Sequence, residues 1–365
     1  MIAALREWTD RFLGRGEAAI TVPPFDGALK PNQFLETAEV VAELGAPEDL
    51  ASDGTWLFAS DGPRVLRHDG SAFTQVASFD RPVTALACLP AGGFAIALAG
   101  TAVRVVGGQH DGRHWDRMAD KPFKSVNAIA ATADGRLLLT DGSETQSCER
   151  WCHDLMELGR TGRVLEIDVA GGGGREIATG LEYAFGVAQS DNAVWVSESW
   201  RHRVVKFGDG AAGTPVLDRL PAYPSRITPA AGGGFWLTAF VARTQLVEFI
   251  LREPAFRKRM MKEIEPRYWV APSLSAGSTY LEPMQGAHIK TMGILKPWAP
   301  PRSYGLVIRL TADGLMRYSL HSRVDGKNHG IVAAVECRGT LFVLSKGRKR
   351  ILRVSVADVE RELQA

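Results

Sequence analysis

Cysteine is scarce: the chain has 4 in 365 residues, too few for a disulfide framework. Charge of one sign is missing too. Lysine and arginine total 43 against 41 aspartates and glutamates, a net +2, which leaves no electrostatic footprint for nucleic acid. No apolar run is long enough to span a bilayer. The opening "MIAALREWTDRFLG" places Arg6, Glu7, Asp10 and Arg11 where a secretory leader needs an unbroken apolar segment. Ile2, Leu5, Trp8, Phe12 and Leu13 share one helical face and read as a docking helix. These absences lead to the expectation of a reduced, cytoplasmic protein with no membrane and no nucleic-acid partner.

What is abundant is a repeated unit. "NAIAATADGRLLLTDG" from Asn127 is a short strand, a tight Asp134-Gly135 turn and a second short strand. The same unit returns from Glu48 ("EDLASDGTWLFASDG"), Val83, Phe185, Arg226 and Gly330 ("GIVAAVECRGTLFVLSK"). Third strands follow, among them "PRVLRHDG", "HRVVKFGD" and "KRILRVSV", and in several repeats a fourth, such as "FTQVASF" and "LMRYSLHS". A period of roughly 45 residues suits a four-stranded propeller blade. The predicted fold is therefore an all-β, six-bladed propeller over residues 38–356. A helical extension at 1–37 precedes it and a tail at 357–365 follows. The sixth repeat lacks a fourth strand, and "AEVVAEL" at Ala38–Leu44 is strand-like and unpaired, so it is expected to close the ring.

Insertions at about 143–160 and 243–303 interrupt repeats three and five between their second and third strands. Both leave from equivalent connections, so both are expected over the same end of the ring. The second carries the helical "LVEFILREPAFRKRMMKEI" and the Pro-rich "MGILKPWAPPRSYG". Stiffened by its prolines, the latter is expected to hold Lys296, Trp298 and Arg302 as a lid over a small, anionic and partly apolar ligand. The alternatives are a dimer contact, or a staple in which Trp298 ties the insertion to the ring.

The motifs "GAPEDLA", "VNAIAATADGRLLLTDGS", "SESWRHRVVKF", "LPAYPSRITPAAGGGFWLTAF" and "GLVIRL" occur in the order in which they occur in strictosidine synthase-like proteins. The chain resembles that family from about Val40 to Val356. The family's propellers are related to gluconolactonases and paraoxonases. The resemblance implies a small-molecule enzyme with its site on the propeller axis. In the hydrolytic branch a calcium-like ion is held there, and Glu48 and Asn127 match two of its ligands. Two other ligand positions depart: Ala184-Phe185-Gly186 replaces Pro-Asn-Gly, and Tyr223-Pro224-Ser225-Arg226 replaces Tyr-Pro-Asp-Asn. Two oxygen side chains fall short of the about 6–8 oxygens that calcium takes. The expectation is a metal-independent site without cofactor, the alternative a Ca2+ site at Glu48 and Asn127. Arg226 either neutralises Glu48 in a bidentate pair, faces an anionic substrate, or is purely structural.

The resemblance also gives Glu336 the place of the acid/base in the synthase's amine–aldehyde condensation, with a structural role as the alternative. His329, just before an inner strand, is expected to point to the axis as a general base. The candidate set is thus Glu336 and His329 for catalysis, with Arg226, Glu48, Asn127, Phe185, Trp298 and Arg302 for binding. The chemistry expected is lactone or ester hydrolysis, or an amine–carbonyl condensation or its reverse; a non-catalytic binding propeller is the remaining reading. His202 near Glu198 and the turn-holding Asp141 read as structural. Cys148, Cys152 and His153 have an unusual spacing for zinc, and Gly171–Gly174 is a hairpin loop.

Overall fold

The structure is a computed structural model that describes residues 21–208, 212–276, 282, 290–291, 294–295 and 303–364. The expected N-terminal helix and Lys296, Trp298 and Arg302 lie outside the described residues. Six four-stranded antiparallel sheets form a propeller. Their first strands are Pro47–Ser52, Val83–Cys88, Val126–Ala131, Ala184–Ser190, Ala222–Pro229 and Ile331–Cys337. They face the axis, and successive blades are sequential in the chain.

Burial explains why the repeats read as continuous apolar runs. Second strands lie between two strands of their own blade and between two neighbouring blades. Leu57–Asp61, Ala193–Glu198 and Phe235–Ala242 are accordingly buried at every position. Outer strands such as Phe73–Ser78 are largely exposed and keep polar residues. Apolar side chains fill the wedges between blades, with Trp195 and Trp236 almost wholly enclosed.

The last blade consists of Ile331–Cys337, Thr340–Ser345, Arg350–Ser355 and, from the other end of the chain, Glu39–Glu43. That strand pairs antiparallel, Glu39 opposite Arg353 and Glu43 opposite Arg350. The flanking ion pairs Arg350–Glu43 and Arg353–Glu39 are exposed, so the backbone ladder supplies most of the closure. The C-terminal residues are not a loose tail. Val356–Gln364 is a helix that buries Val359 against the ring, and Glu360 accepts a hydrogen bond from Tyr318 at 3.1 Å.

Three blades share a device that shapes the end of the ring bearing the insertions. An acid closes the second strand, an arginine lies at the start of the third, and the acid also accepts backbone N–H groups from the loop entering the first. In blade one Asp61 accepts from Gly45 (2.9 Å) and Ala46 (2.6 Å) and pairs with Arg64. In blade three Asp141 accepts from Ser125 (2.7 Å) and from Arg163 Nη2 (2.9 Å). In blade four Glu198 accepts from Glu182 N–H and Arg203 Nε.

Both insertions cover this end. The first contains the helix Trp151–Glu157. The second contains two helices rather than one, Gln245–Arg252 and Pro254–Glu263. Pro254 has no N–H to continue a helix but fits the first turn of the next. Thr244 caps the first of the pair by accepting from Val247 N–H at 3.3 Å.

Candidate functional site

The first strands each deliver one residue to a cavity on the axis: Glu48, Thr84, Asn127, Phe185, Arg226 and Val332. Cys148 and Trp151 from the first insertion, Leu274 from the second, and Tyr183, Phe240 and Lys346 complete the wall. The enclosed space is about 30 Å³ within a depression of about 410 Å³ that is open to solvent. The smaller space holds about two or three water molecules.

Arg226 forms the floor and is buried. Its Nη1 donates to the carbonyls of Glu48 (2.9 Å) and Val332 (3.3 Å). Its Nη2 donates to those of Thr84 (2.8 Å) and Asn127 (2.6 Å). Nε lies 2.9 Å from Asp49 Oδ1, an ion-pair contact off the direction of the N–H bond. The Phe185 ring stacks on the guanidinium with its centroid at 5.4 Å, a cation–π contact. All the Nη–H groups are spent on carbonyls, so none is left for an anionic substrate.

The counter-ion is Asp49, not the expected Glu48. Asp49 is buried and accepts from Leu86 N–H at 2.9 Å and Leu50 N–H at 2.8 Å. Burial pushes its carboxyl up to about 6, against the opposing pull of Arg226 and the two N–H groups. Glu48 turns the other way and accepts from Lys346 Nζ at 2.6 Å, with both side chains about a quarter exposed to the cavity. Lys346, which directly follows the second strand of blade six, is a site residue that sequence reading missed. Its one signal was position, at the end of the ring where the insertions gather.

Asn127 is fixed by its own amide, which donates to Ala184 O at 3.1 Å. A Cβ on Gly142 would lie 2.2 Å from that amide nitrogen, so only glycine fits there. Aromatic rings make the rest of the wall. Tyr183 stacks on Trp200 at 4.4 Å, and Phe240 lies 5.4 Å from Trp151 and 5.9 Å from Phe185. Burial pushes the Cys148 thiol up to about 11.

Two residues expected at the centre stand apart from it. Glu336 is four residues beyond Val332, about 13 Å along the strand toward the opposite end of the ring. There it accepts from Trp236 Nε1 and from Ala231 N–H, fastening blade six to the hairpin of blade five. His329 is buried beside the ring's rim, with Nδ1 2.7 Å from Ser303 Oγ and Nε2 2.7 Å from Arg323 O. Both ring nitrogens are engaged away from the cavity. His202 faces Glu248 of the second insertion at 3.4 Å instead of Glu198. His153 packs on the Trp269 ring while Cys148 meets Ser125, so these two do not converge.

The donor set does not fit calcium. The Glu48 carboxylate is bound to an ammonium, and the converging carbonyls already hold a guanidinium. A dication at this point would meet two fixed positive charges. Among the described residues no three His, Cys, Asp or Glu side chains form a metal-binding group elsewhere.

No family model matches the chain. The adipocyte plasma membrane-associated protein of Mus musculus is 26% identical to it over 372 residues, 92% of this chain and 82% of that protein. The Salmo salar protein of the same name is 23% identical over 352 residues, 87% and 76% of the two chains. Among solved structures, a gluconolactonase from Xanthomonas campestris superposes with a TM-score of 0.56 at 14% identity, covering 87% of this chain and 88% of its own. A luciferin-regenerating enzyme does so with a TM-score of 0.52 at 11% identity, covering 88% and 94%. The chain is a six-bladed β-propeller, and it shares this fold with those two proteins. No described helix is long and apolar enough to cross a membrane.

Proposed function

We propose that this propeller is a metal-independent, strictosidine synthase-like enzyme that adds a nucleophile to the carbonyl of a small, partly aromatic molecule in its axial cavity. The observation that carries this reading is Arg226, which fills the place of an axial cation and leaves Glu48 and Lys346 as the ionisable pair facing the cavity. Lys346 Nζ–H donates to the carbonyl oxygen and stabilises the developing oxyanion. The Glu48 carboxylate takes the proton of the attacking water or amine. Hydrolysis of an ester or lactone and condensation of an amine with an aldehyde share this step. Trp151, Phe185 and Phe240 hold the apolar part of the ligand. The scarcity of cysteine, 4 in 365 residues, is in keeping with a reducing, cytoplasmic setting.

The test is turnover of a panel of aryl esters, lactones and amine–aldehyde pairs, with and without a chelator. Activity is expected to survive chelation and to fall about 100-fold or more in Glu48→Gln and in Lys346→Met. Activity that needs added calcium would overturn the reading. So would full turnover in both variants. Ligand binding with no turnover in the wild type would make the chain a binding propeller.

A further inference from the structure

All six blades meet at one side chain. Arg226 comes from blade five, hydrogen-bonds the carbonyls of Glu48, Thr84, Asn127 and Val332 in blades one, two, three and six, and lies against Phe185 of blade four. First strands at a propeller axis point carbonyls at a common centre, and without a donor these would be buried unpaired acceptors. Asp49 adds a buried carboxylate to the same centre, 2.9 Å from Nε. Carbonyls and a carboxylate around one point make a cation receptor in both geometry and charge. We propose that the axis of this propeller is a built cation site whose occupant is the protein's own guanidinium, and that Arg226 holds the blades together as a tethered ion. Removing the side chain turns the centre into a receptor for a free cation, of which guanidinium is the best match in shape and calcium the next.

Several features of the site follow. A tethered ion does not dissociate, so it ties blade five to blades one, two, three and six at any ionic composition. It also explains why Asp49 is buried next to the cavity yet does not face it. A planar group with Nη–H donors on two sides suits carbonyls from opposite arcs of the ring better than an ammonium does.

The experiment is thermal melting of wild type, Arg226→Ala and Arg226→Met in chelator, then with low-millimolar calcium or guanidinium chloride, against sodium chloride of equal ionic strength. The wild type is expected to be indifferent to all of these. Arg226→Ala is expected to melt about 5–10 °C lower, because a buried carboxylate and four carbonyls lose their partner. Guanidinium or calcium, and not sodium, recovers part of that loss. Arg226→Met keeps the volume of the side chain and shows the loss even if the alanine variant does not fold; with its space filled, it gains nothing from added cations. If both variants melt within about 1 °C of wild type, the arginine does not hold the ring. If Arg226→Ala folds and no cation restores it, the centre is not a cation site. Stabilisation of the wild type by calcium would show that the axis still takes a metal. These readouts do not depend on turnover, so they separate from the outcome of the activity panel.

Discussion

Replacing Asp141 by alanine removes a fully buried carboxylate while leaving its fully buried partner, Arg163, in place. Arg163 keeps its hydrogen bond to Pro122 O at 2.8 Å and a contact with Glu176 at 3.5 Å, but its two bonds to Asp141 are lost. A buried charge that loses its hydrogen-bonded counter-ion costs about 3–5 kcal/mol. Unfolding entropy scales with length at about 2.1 cal/mol/K per residue, roughly 0.8 kcal/mol/K for this chain, so the melting temperature should fall by about 4–6 °C. The loss should be partly undone by the double substitution Asp141→Leu, Arg163→Met, because an apolar pair of similar volume has no charge to desolvate. Differential scanning calorimetry on the single and double variants measures both quantities. Asp141 also holds Ser125 N–H at the entrance to the strand that bears Asn127, so ligand affinity should weaken in the single variant. An Asp141→Ala protein that melts within about 1 °C of wild type, or a double variant no more stable than the single, would refute the argument.

Other substitutions test separate links. Glu336→Gln should leave turnover unchanged and cost about 1–3 kcal/mol in a denaturant melt, since its carboxylate joins Trp236 and Ala231 at the far end of the ring. His321 is buried between Tyr304 and Ser319, and burial holds its imidazole down at about 4. The unfolded imidazole takes up a proton near pH 6.5 and the folded one does not, so stability should be lost as pH falls from about 6.5 to 4, by up to about 3 kcal/mol. His321→Gln should flatten that part of the pH–stability curve. The Cys148 thiol, raised by burial, should react with iodoacetamide at pH 8 at least about 100-fold more slowly in native protein than in unfolded, as followed by mass spectrometry.

The ring was legible in the sequence because its signals are local: a turn such as Asp134-Gly135, with Gly135 at φ 82, lies between two apolar runs and repeats. Even the closure could be read, since one repeat lacked a strand and one strand lacked a repeat. The position of the site was readable for the same reason, because strand entrances and insertions fall at one end. The wiring within the site was not. Glu48 and Asp49 are adjacent, and strand alternation decides which faces the axis. The pairing register shifts between Pro47 and Leu50, so simple alternation does not apply there. The Lys346–Glu48 contact joins residues 298 apart, beyond any local pattern. Glu336 was misplaced because resemblance aligned its residue type, while its depth depends on strand length. Five residues past Ile331, at about 3.3 Å each, carry it to the other side of the ring.

The pairing of Glu39–Glu43 with Arg350–Ser355 has a consequence for how the protein is made. Synthesis delivers the first member of this pair before the other five blades and the second after them. Blade six therefore cannot be completed on the ribosome until the other five blades have emerged. The entropy of bringing such distant ends together grows only logarithmically with separation, so the delay is a matter of time more than of stability. During that interval the early blades stand as an open arc with a bare face at each end, and the strand Glu39–Glu43 has no ladder to join. Glu39 and Glu43 keep the waiting strand charged, which discourages pairing with another chain. A product cut short before Arg350 lacks the partner strand altogether, so its ring stays open and remains a substrate for chaperones and proteases.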